Sequence, residues 1–272
     1  MNALSAPEIE QLVESIKNKK KYSQIDEGLI RDVVRLESEK GRKHKEIEKA
    51  VLAKLHQVGA AYFAQIPDYA GWLAELESLP DDLQAQPTRD YCLRLMQSHH
   101  STQERLFILQ DFFMTTLAPI QPVASILDLA CGLNPLALPW MPVQRDIAYY
   151  GCDIFRDMTD YLQSFARYFH LAGDFRTCNI FTDTFSQPVQ VAFLLKTLPC
   201  LEQVYKGFAA ELLARIPAQY ILVSYPISSL SGKGKGMRET YTQQFETLMA
   251  QSGWPFETFT FSHEIAFLVH KG

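Results

Sequence analysis

The chain has 272 residues, 47% of them hydrophobic, and its 26 basic and 31 acidic side chains give a formal charge of −5. That length and apolar content support one large domain or two smaller ones with a sizeable core, and the charge excludes a global basic field, so any nucleic-acid binding has to come from a local patch. No apolar run approaches the length of a membrane span and no basic-then-apolar leader opens the sequence, which predicts a cytoplasmic protein with no membrane partner.

Residues 1–98 read as helical throughout. Pro7 to Ile16 and Glu46 to Leu55 place apolar residues at three- and four-residue spacing with charges between, the pattern of a helical bundle. Breaks at Lys40-Gly41-Arg42, Ile66-Pro67-Asp68, Leu79-Pro80-Asp81-Asp82 and Gln86-Pro87 keep the helices short. Two cation clusters stand here, and they are either solvated helix faces and turns or a nucleic-acid-docking patch. The docking candidates are Lys17, Lys19, Lys20 and Lys21 in the first cluster, and Arg42, Lys43 and Lys45 in the second.

Ser101-Thr102-Gln103-Glu104 has the form of a capping box and predicts a helix start ahead of the apolar-periodic segment Leu106 to Leu117. From Pro122 strands alternate with helices: strands at 124–129, 147–152, 175–180, 189–195 and 219–225, helices at 157–171 and 202–215. This alternation implies a parallel sheet with helices on both faces. Phe256 to Phe261 and Glu264 to His270, separated by Ser262-His263, form an antiparallel hairpin on the sheet edge. The predicted fold class is therefore α/β, a class I (Rossmann-like) methyltransferase sheet over 99–272 with an N-terminal helical bundle domain over 1–98.

The most informative stretch is Ala124 to Pro139, ASILDLACGLNPLALP, an apolar strand ending in Asp128, a Cys-Gly loop and a helix start. At such a junction α/β sheets bind nucleotides. Only Gly132 is present where a dinucleotide fingerprint needs three glycines, so pyrophosphate is disfavoured and a phosphate-free ligand such as S-adenosylmethionine fits better. Asp153 falls 25 positions after Asp128, the spacing at which an acid accepts hydrogen bonds from ribose hydroxyls. Read singly, Asp128 is equally a loop-capping acid and Asp153 a solvated strand-end acid. Cysteines at 92, 131, 152, 178 and 200 are scattered and never in C-x-x-C, which argues against a disulfide framework or zinc site and for a reducing compartment. Cys131 and Cys152 read as small buried residues rather than nucleophiles.

Five segments then follow one another in a specific order: His99-x-Ser101-Thr102-x-Glu104-Arg105, Leu127 to Ala137, Gly151 to Ile154, Leu194 to Gln203, and Gly234 to Met237 with Tyr241 and Phe245-Glu246. In that order they resemble the aminoglycoside-resistance methyltransferases that modify N7 of guanine(1405) in 16S ribosomal RNA. The resemblance implies S-adenosylmethionine contacts from His99, His100, Ser101 and Arg105, and from Ala130 and Gly132 in the first loop. It further implies contacts from Asp153 to the ribose, from Asn179 and Ile180 near the adenine, and from Leu194 and Gln203. Tyr62 is similar to the aromatic that the helical domain of this family lends to the pocket. A charge-assisted bidentate pair between Arg105 and the cofactor's carboxylate is expected, against the alternative of a surface arginine in a capped helix. Departures from the family pattern are His100 for Ala, Asn179 for Asp and Tyr225 for Phe, and segment 66–95 does not match closely.

Guanine N7 carries an in-plane lone pair and no proton, so methylation there needs no general base and no catalytic side chain is named. Alignment alone can lower such a barrier by about 7–11 kcal/mol. The target base is expected to leave its stack, held by Tyr225, Pro226 and the Ser231 to Met237 loop, whose Lys233 and Lys235 with neighbouring Arg238 can grip phosphates. Lys196 is expected either to pair with Glu202 or to serve the site. The resemblance also implies 16S rRNA within the 30S subunit as the partner, no obligate protein partner, and resistance to gentamicin and kanamycin. Competing readings are a methyltransferase acting on another RNA site or a small molecule, an NAD-dependent oxidoreductase, and a non-catalytic ribosome-binding factor.

Overall fold

In the computed structural model, which describes residues 4–63, 66–227 and 236–272, three helices come first: α1 (Ala6–Lys17), α2 (Glu27–Ser38) and α3 (His44–Leu55). Each starts where its sequence supplies a cap. Glu8 reaches back to the Ser5 N–H at 2.8 Å with Pro7 in the first turn, and Asp26 accepts from the Leu29 N–H at 2.7 Å. One face of each helix, including Leu12, Ile16, Ile30, Val33 and Val51, is buried in a core of its own. A π-helical turn at His56–Ala60 then leads into α4 (Tyr69–Leu76) and α5 (Gln86–Met96). Their apolar residues, Leu76, Tyr91, Cys92, Leu95 and Met96, belong to the core of the sheet instead. The helices within 1–98 thus divide between two cores.

Helix α6 (His100–Arg105) begins one residue before Ser101, and a 3₁₀ turn at Leu106–Ile108 separates it from α7 (Leu109–Thr116). The predicted Ser101–Glu104 capping box does not form. His99 is the N-cap residue, and the Glu104 carboxylate is taken by the Lys196 ammonium at 2.6 Å, a charge-assisted partner that outcompetes a backbone amide.

The strands are β1 (Val123–Leu129), β2 (Val143–Asp153), β3 (Phe175–Thr177), β4 (Val189–Leu195), β5 (Ala218–Pro226), β6 (Phe256–Thr260) and β7 (Glu264–His270), in the sheet order β3-β2-β1-β4-β5-β7-β6. The first five are parallel and β7 runs antiparallel between β5 and β6, as the alternating pattern and the terminal hairpin predict. Side chains alternate across the sheet: Ile126 and Phe193 face α4, α5, α7 and α8 (Arg156–Tyr168), whereas Leu127 and Leu194 face α9 (Leu198–Val204), α10 (Phe208–Arg215) and α11 (Met237–Ser252).

Three features differ from expectation. Strand β3 stops at Thr177, and Cys178 to Ile180 leave the sheet toward its ligand-binding end. The single helix expected over 202–215 is two, because Gly207 adopts φ +80° while the Glu202 carboxylate accepts from the Gly207 and Ala209 amides at 2.7 and 3.1 Å. Cys152 and Cys178 form a disulfide, with Cα atoms 5.7 Å apart, where unpaired thiols were expected. The parallel β2–β3 register sets Asp153 opposite Thr177, which brings the two cysteines together. No described helix is long and apolar enough to cross a membrane.

Candidate functional site

A cleft opens at the carboxyl ends of β1, β2 and β4. The sheet order reverses between β1 and β4, the switch point where open α/β sheets place their ligands. Here β1 turns sharply, with Ala130 at φ +54° and Gly132 at φ +52°. The Gly132 N–H donates to one Asp153 oxygen at 2.9 Å and the Ile154 N–H to the other at 2.7 Å, fixing that carboxylate at the rim. Burial pushes the Asp153 carboxyl up to about 6 despite these amides. Asp128 lies beneath and accepts from the Tyr149 hydroxyl at 2.7 Å and the Asn134 amide at 2.8 Å; burial likewise raises it to about 6.

Gly132 is required by contact as well as by backbone angle: a Cβ there would stand 2.7 Å from Cε1 of His99. The His99 ring stacks on Tyr62 with centroids 5.5 Å apart, and burial holds it down to about 3, so it is neutral at pH 7. Its buried Nδ1 has no protein partner among the described residues. The Tyr62 hydroxyl in turn meets the Cys200 sulfur at 2.7 Å.

Four charges cluster at the far side, where Arg105 and Lys196 line the cleft and two carboxylates back them. Arg105, 1% exposed, forms a bidentate pair with Glu264, Nη2 to Oε1 at 2.6 Å and Nε to Oε2 at 3.1 Å. Its Nη1 donates to Asn134 at 3.2 Å. Lys196 lies 2.6 Å from Glu104 and 3.5 Å from Glu264. Of the two alternatives for Lys196, the pair with Glu202 is absent among the described residues, since Glu202 is engaged at the start of α10, and Lys196 instead lines the cleft. Burial pushes the Glu264 carboxyl up, but Arg105 and Lys196 outweigh it and hold it below the usual carboxylate range.

Of the cofactor residues expected from sequence, the structure brings Tyr62, His99, Ser101, Arg105, Ala130, Asp153, Asn179 and Ile180 to this one cleft. Gly132 serves it through its backbone amide. Three others are elsewhere. Leu194 is fully buried in the α9–α11 core, and strand alternation gives the cleft to Leu195 instead. Gln203 lies on the outer side of α9, in a separate groove with Tyr225 and Tyr241, while Thr197, Cys200 and Leu201 face the cleft. The N–H of His100 donates to the Tyr62 carbonyl at 2.9 Å, and its side chain does not line the site.

Sequence reasoning assigned no role to Glu264, although a lone acid opening the apolar run EIAFLVH was a usable signal. It also missed the wall supplied by the N-terminal helices, namely Leu29, Val58 and Gly59. Asp32 on α2 accepts from the Asn179 amide at 2.7 Å, and the Asp26 N–H donates to the Ile154 carbonyl at 2.8 Å.

The proposed RNA contacts fall into four groups. Lys17, Lys19 and Arg42 already have protein partners, the Ile25 carbonyl at 3.2 Å, Glu48 at 3.3 Å and buried Glu37 respectively, and Lys21 meets His56 at 3.2 Å. The side chains of Lys20, Lys43, Lys45 and Arg238 are exposed, and Met237 opens α11 half-buried. Tyr225 is buried and stacks on Tyr241 at 4.8 Å, with Pro226 beside it at the end of β5. Lys233 and Lys235 lie outside the described residues.

The donor set suits an adenosyl amino acid: a rim carboxylate for a ribose diol, apolar side chains for a base, an orphan imidazole nitrogen, and a guanidinium for a carboxylate. Among the described residues, no group of His, Cys, Asp and Glu is arranged to hold a metal ion. Comparison with known proteins agrees with this chemistry. The profile of a ribosomal RNA methyltransferase family, FmrO, matches residues 18–269. The chain is 30% identical over 267 residues to the 16S rRNA (guanine(1405)-N(7))-methyltransferase of Serratia marcescens, spanning 97% of this chain and 98% of that one. It is 29% identical over 271 residues to the protein of that name from Micromonospora echinospora, spanning 98% and 99%. Its structure is similar to the crystal structure of the 16S rRNA methyltransferase RmtF in complex with S-adenosyl-L-homocysteine, with a TM-score of 0.81 at 28% identity over 99% of this chain and 100% of that one.

Proposed function

The chain belongs to the FmrO family of ribosomal RNA methyltransferases, and from that premise we propose that it moves a methyl group from S-adenosylmethionine to N7 of guanine(1405) in 16S rRNA. The observation that carries the cofactor assignment is the Asp153 carboxylate, presented at the β1/β4 switch point by the Gly132 and Ile154 amides. The bound cofactor supplies an electrophilic methyl group on a cationic sulfur.

The residues of this chain have simpler tasks. Asp153 accepts from the ribose hydroxyls, Ile180 and Phe181 cover the base with Asn179 at its edge, and Arg105 meets the amino-acid carboxylate. Neutral His99 adds no cation beside a sulfonium, whereas Asp128 and Asp153, mostly ionised at pH 7, leave the cleft negative in favour of one. Guanine N7 has no proton to lose, so no side chain acts as base, and the protein's contribution to rate is alignment and exclusion of water. Tyr225, Pro226, Met237 and Arg238 are our candidates for holding the target base and its phosphates, with Lys233 and Lys235 of the preceding loop.

Residues 1–98 supply the docking portion in this reading, with exposed Lys20, Lys43 and Lys45 on the RNA. The partner is the assembled 30S subunit in the cytoplasm, and methylation there would add bulk and positive charge to the site where aminoglycosides bind. Incubation with purified 30S subunits and labelled S-adenosylmethionine, followed by mapping of the modified nucleotide, tests the whole reading. Methyl transfer to another nucleotide overturns the target, and cofactor binding without transfer indicates a non-catalytic ribosome-binding protein.

A further inference from the structure

Arginine presents five N–H donors in a rigid planar fork. In Arg105 three are engaged: Nε and one on Nη2 by Glu264, and one on Nη1 by Asn134. The Asn134 amide is itself fixed, because its nitrogen donates to Asp128 and its oxygen therefore has to face Arg105. The Phe112 ring lies 4.6 Å from Cζ and restricts the guanidinium plane. What remains is one N–H on each terminal nitrogen, in a residue that lines the cleft. Glu264 does not line it. It reaches Arg105 from the start of β7, paired with Pro226 on the antiparallel edge and 159 positions away in sequence.

We propose that Glu264 is a positioning residue for the amino-acid end of the cofactor site, holding Arg105 side-on so that its two remaining terminal N–H groups are left to receive a carboxylate. Lys196 completes the arrangement: with Glu104 it leaves two cations against two carboxylates, so the cluster is neutral before any ligand arrives. A buried ion pair contributes little stability compared with an apolar replacement of equal volume, so stability alone does not account for this one beside the cleft. The inference rests on the cofactor reading above.

The test is calorimetric titration of the full chain and of Glu264→Gln with two ligands. S-adenosylhomocysteine carries the amino-acid end, and 5′-methylthioadenosine is the same nucleoside without it. Glutamine sets an N–H₂ against an Arg105 N–H and breaks the fork, so affinity for S-adenosylhomocysteine should fall about 10- to 100-fold, with 5′-methylthioadenosine unaffected. Equal losses for both ligands, or no loss for either, overturn the inference. Failure of the unmodified chain to bind either ligand refutes the cofactor reading itself. Should Glu264→Gln not fold, the pair Glu264→Gln with Lys196→Met removes one charge of each sign, stays neutral, and is expected to show the same selective loss.

Discussion

Replacing Asp153 by Asn separates the ligand's use of this carboxylate from its cost to the empty protein. In the free protein burial raises the carboxyl from an ordinary 3.8 to about 6, and at 1.36 kcal/mol per unit keeping it ionised at pH 7 costs about 3 kcal/mol. Because the folded-state value is the higher one, this group's favourable contribution is complete below the unfolded value and is lost as pH rises to about 6. Asparagine removes that cost, but its N–H₂ has to face the Gly132 or the Ile154 amide, and the orphaned donor costs about 1–3 kcal/mol. The two effects offset, so Tm at pH 7 should move by only a few degrees. The ligand has no such compensation: each hydrogen bond to a charged acceptor is worth about 1.5–3 kcal/mol, so losing the bonds to the ribose diol should raise the Kd for S-adenosylhomocysteine about 100-fold. Calorimetry and thermal melting read the two quantities, and in the unmodified protein affinity should decline as pH falls through about 6. An Asp153→Asn variant with unchanged Tm and a Kd within about threefold of the parent would refute the assignment of this carboxylate to the ribose.

Gly132→Ala puts an L-residue at φ +52° and a methyl group 2.7 Å from the His99 ring, so Tm should fall by an amount corresponding to about 1–2 kcal/mol and cofactor affinity should fall with it. Leu194→Ala empties a core position and should cost about 2–5 kcal/mol in denaturant unfolding while the folded protein binds S-adenosylhomocysteine normally. Charge reversal of Lys20, Lys43 and Lys45 to Glu should leave that binding intact and reduce methyl transfer to 30S subunits, by a margin that narrows as salt is raised. Undiminished transfer by this triple variant would move the docking surface elsewhere.

The sheet was legible because buried parallel strands read as apolar runs and the Ser262-His263 break can only close a hairpin. The turn at the sheet's switch point was legible in Asp128, Gly132 and Asp153, which the parallel β1–β2 pairing brings together at one end of the sheet. Errors arose where long-range partners decide. Ser101 lost its capping box to Lys196, and Arg105 acquired Glu264, a carboxylate on the last strand. Leu194 was misplaced for a different reason: in a strand buried on both faces, apolar character does not say which of two neighbours faces the ligand. Asn179 was expected at the adenine, but its tie to Asp32 on α2 had no sequence signal.

That tie, the Asp26–Ile154 backbone bond and the cleft-lining Leu29, Val58 and Gly59 have a consequence for how such an enzyme can be taken apart. A fragment beginning at His99 would lose the α4 and α5 residues that pack on one face of the sheet and would lie open to solvent along one flank of its ligand chamber. Grafting the leading helices onto an unrelated nucleotide-binding enzyme would transplant part of a chamber wall.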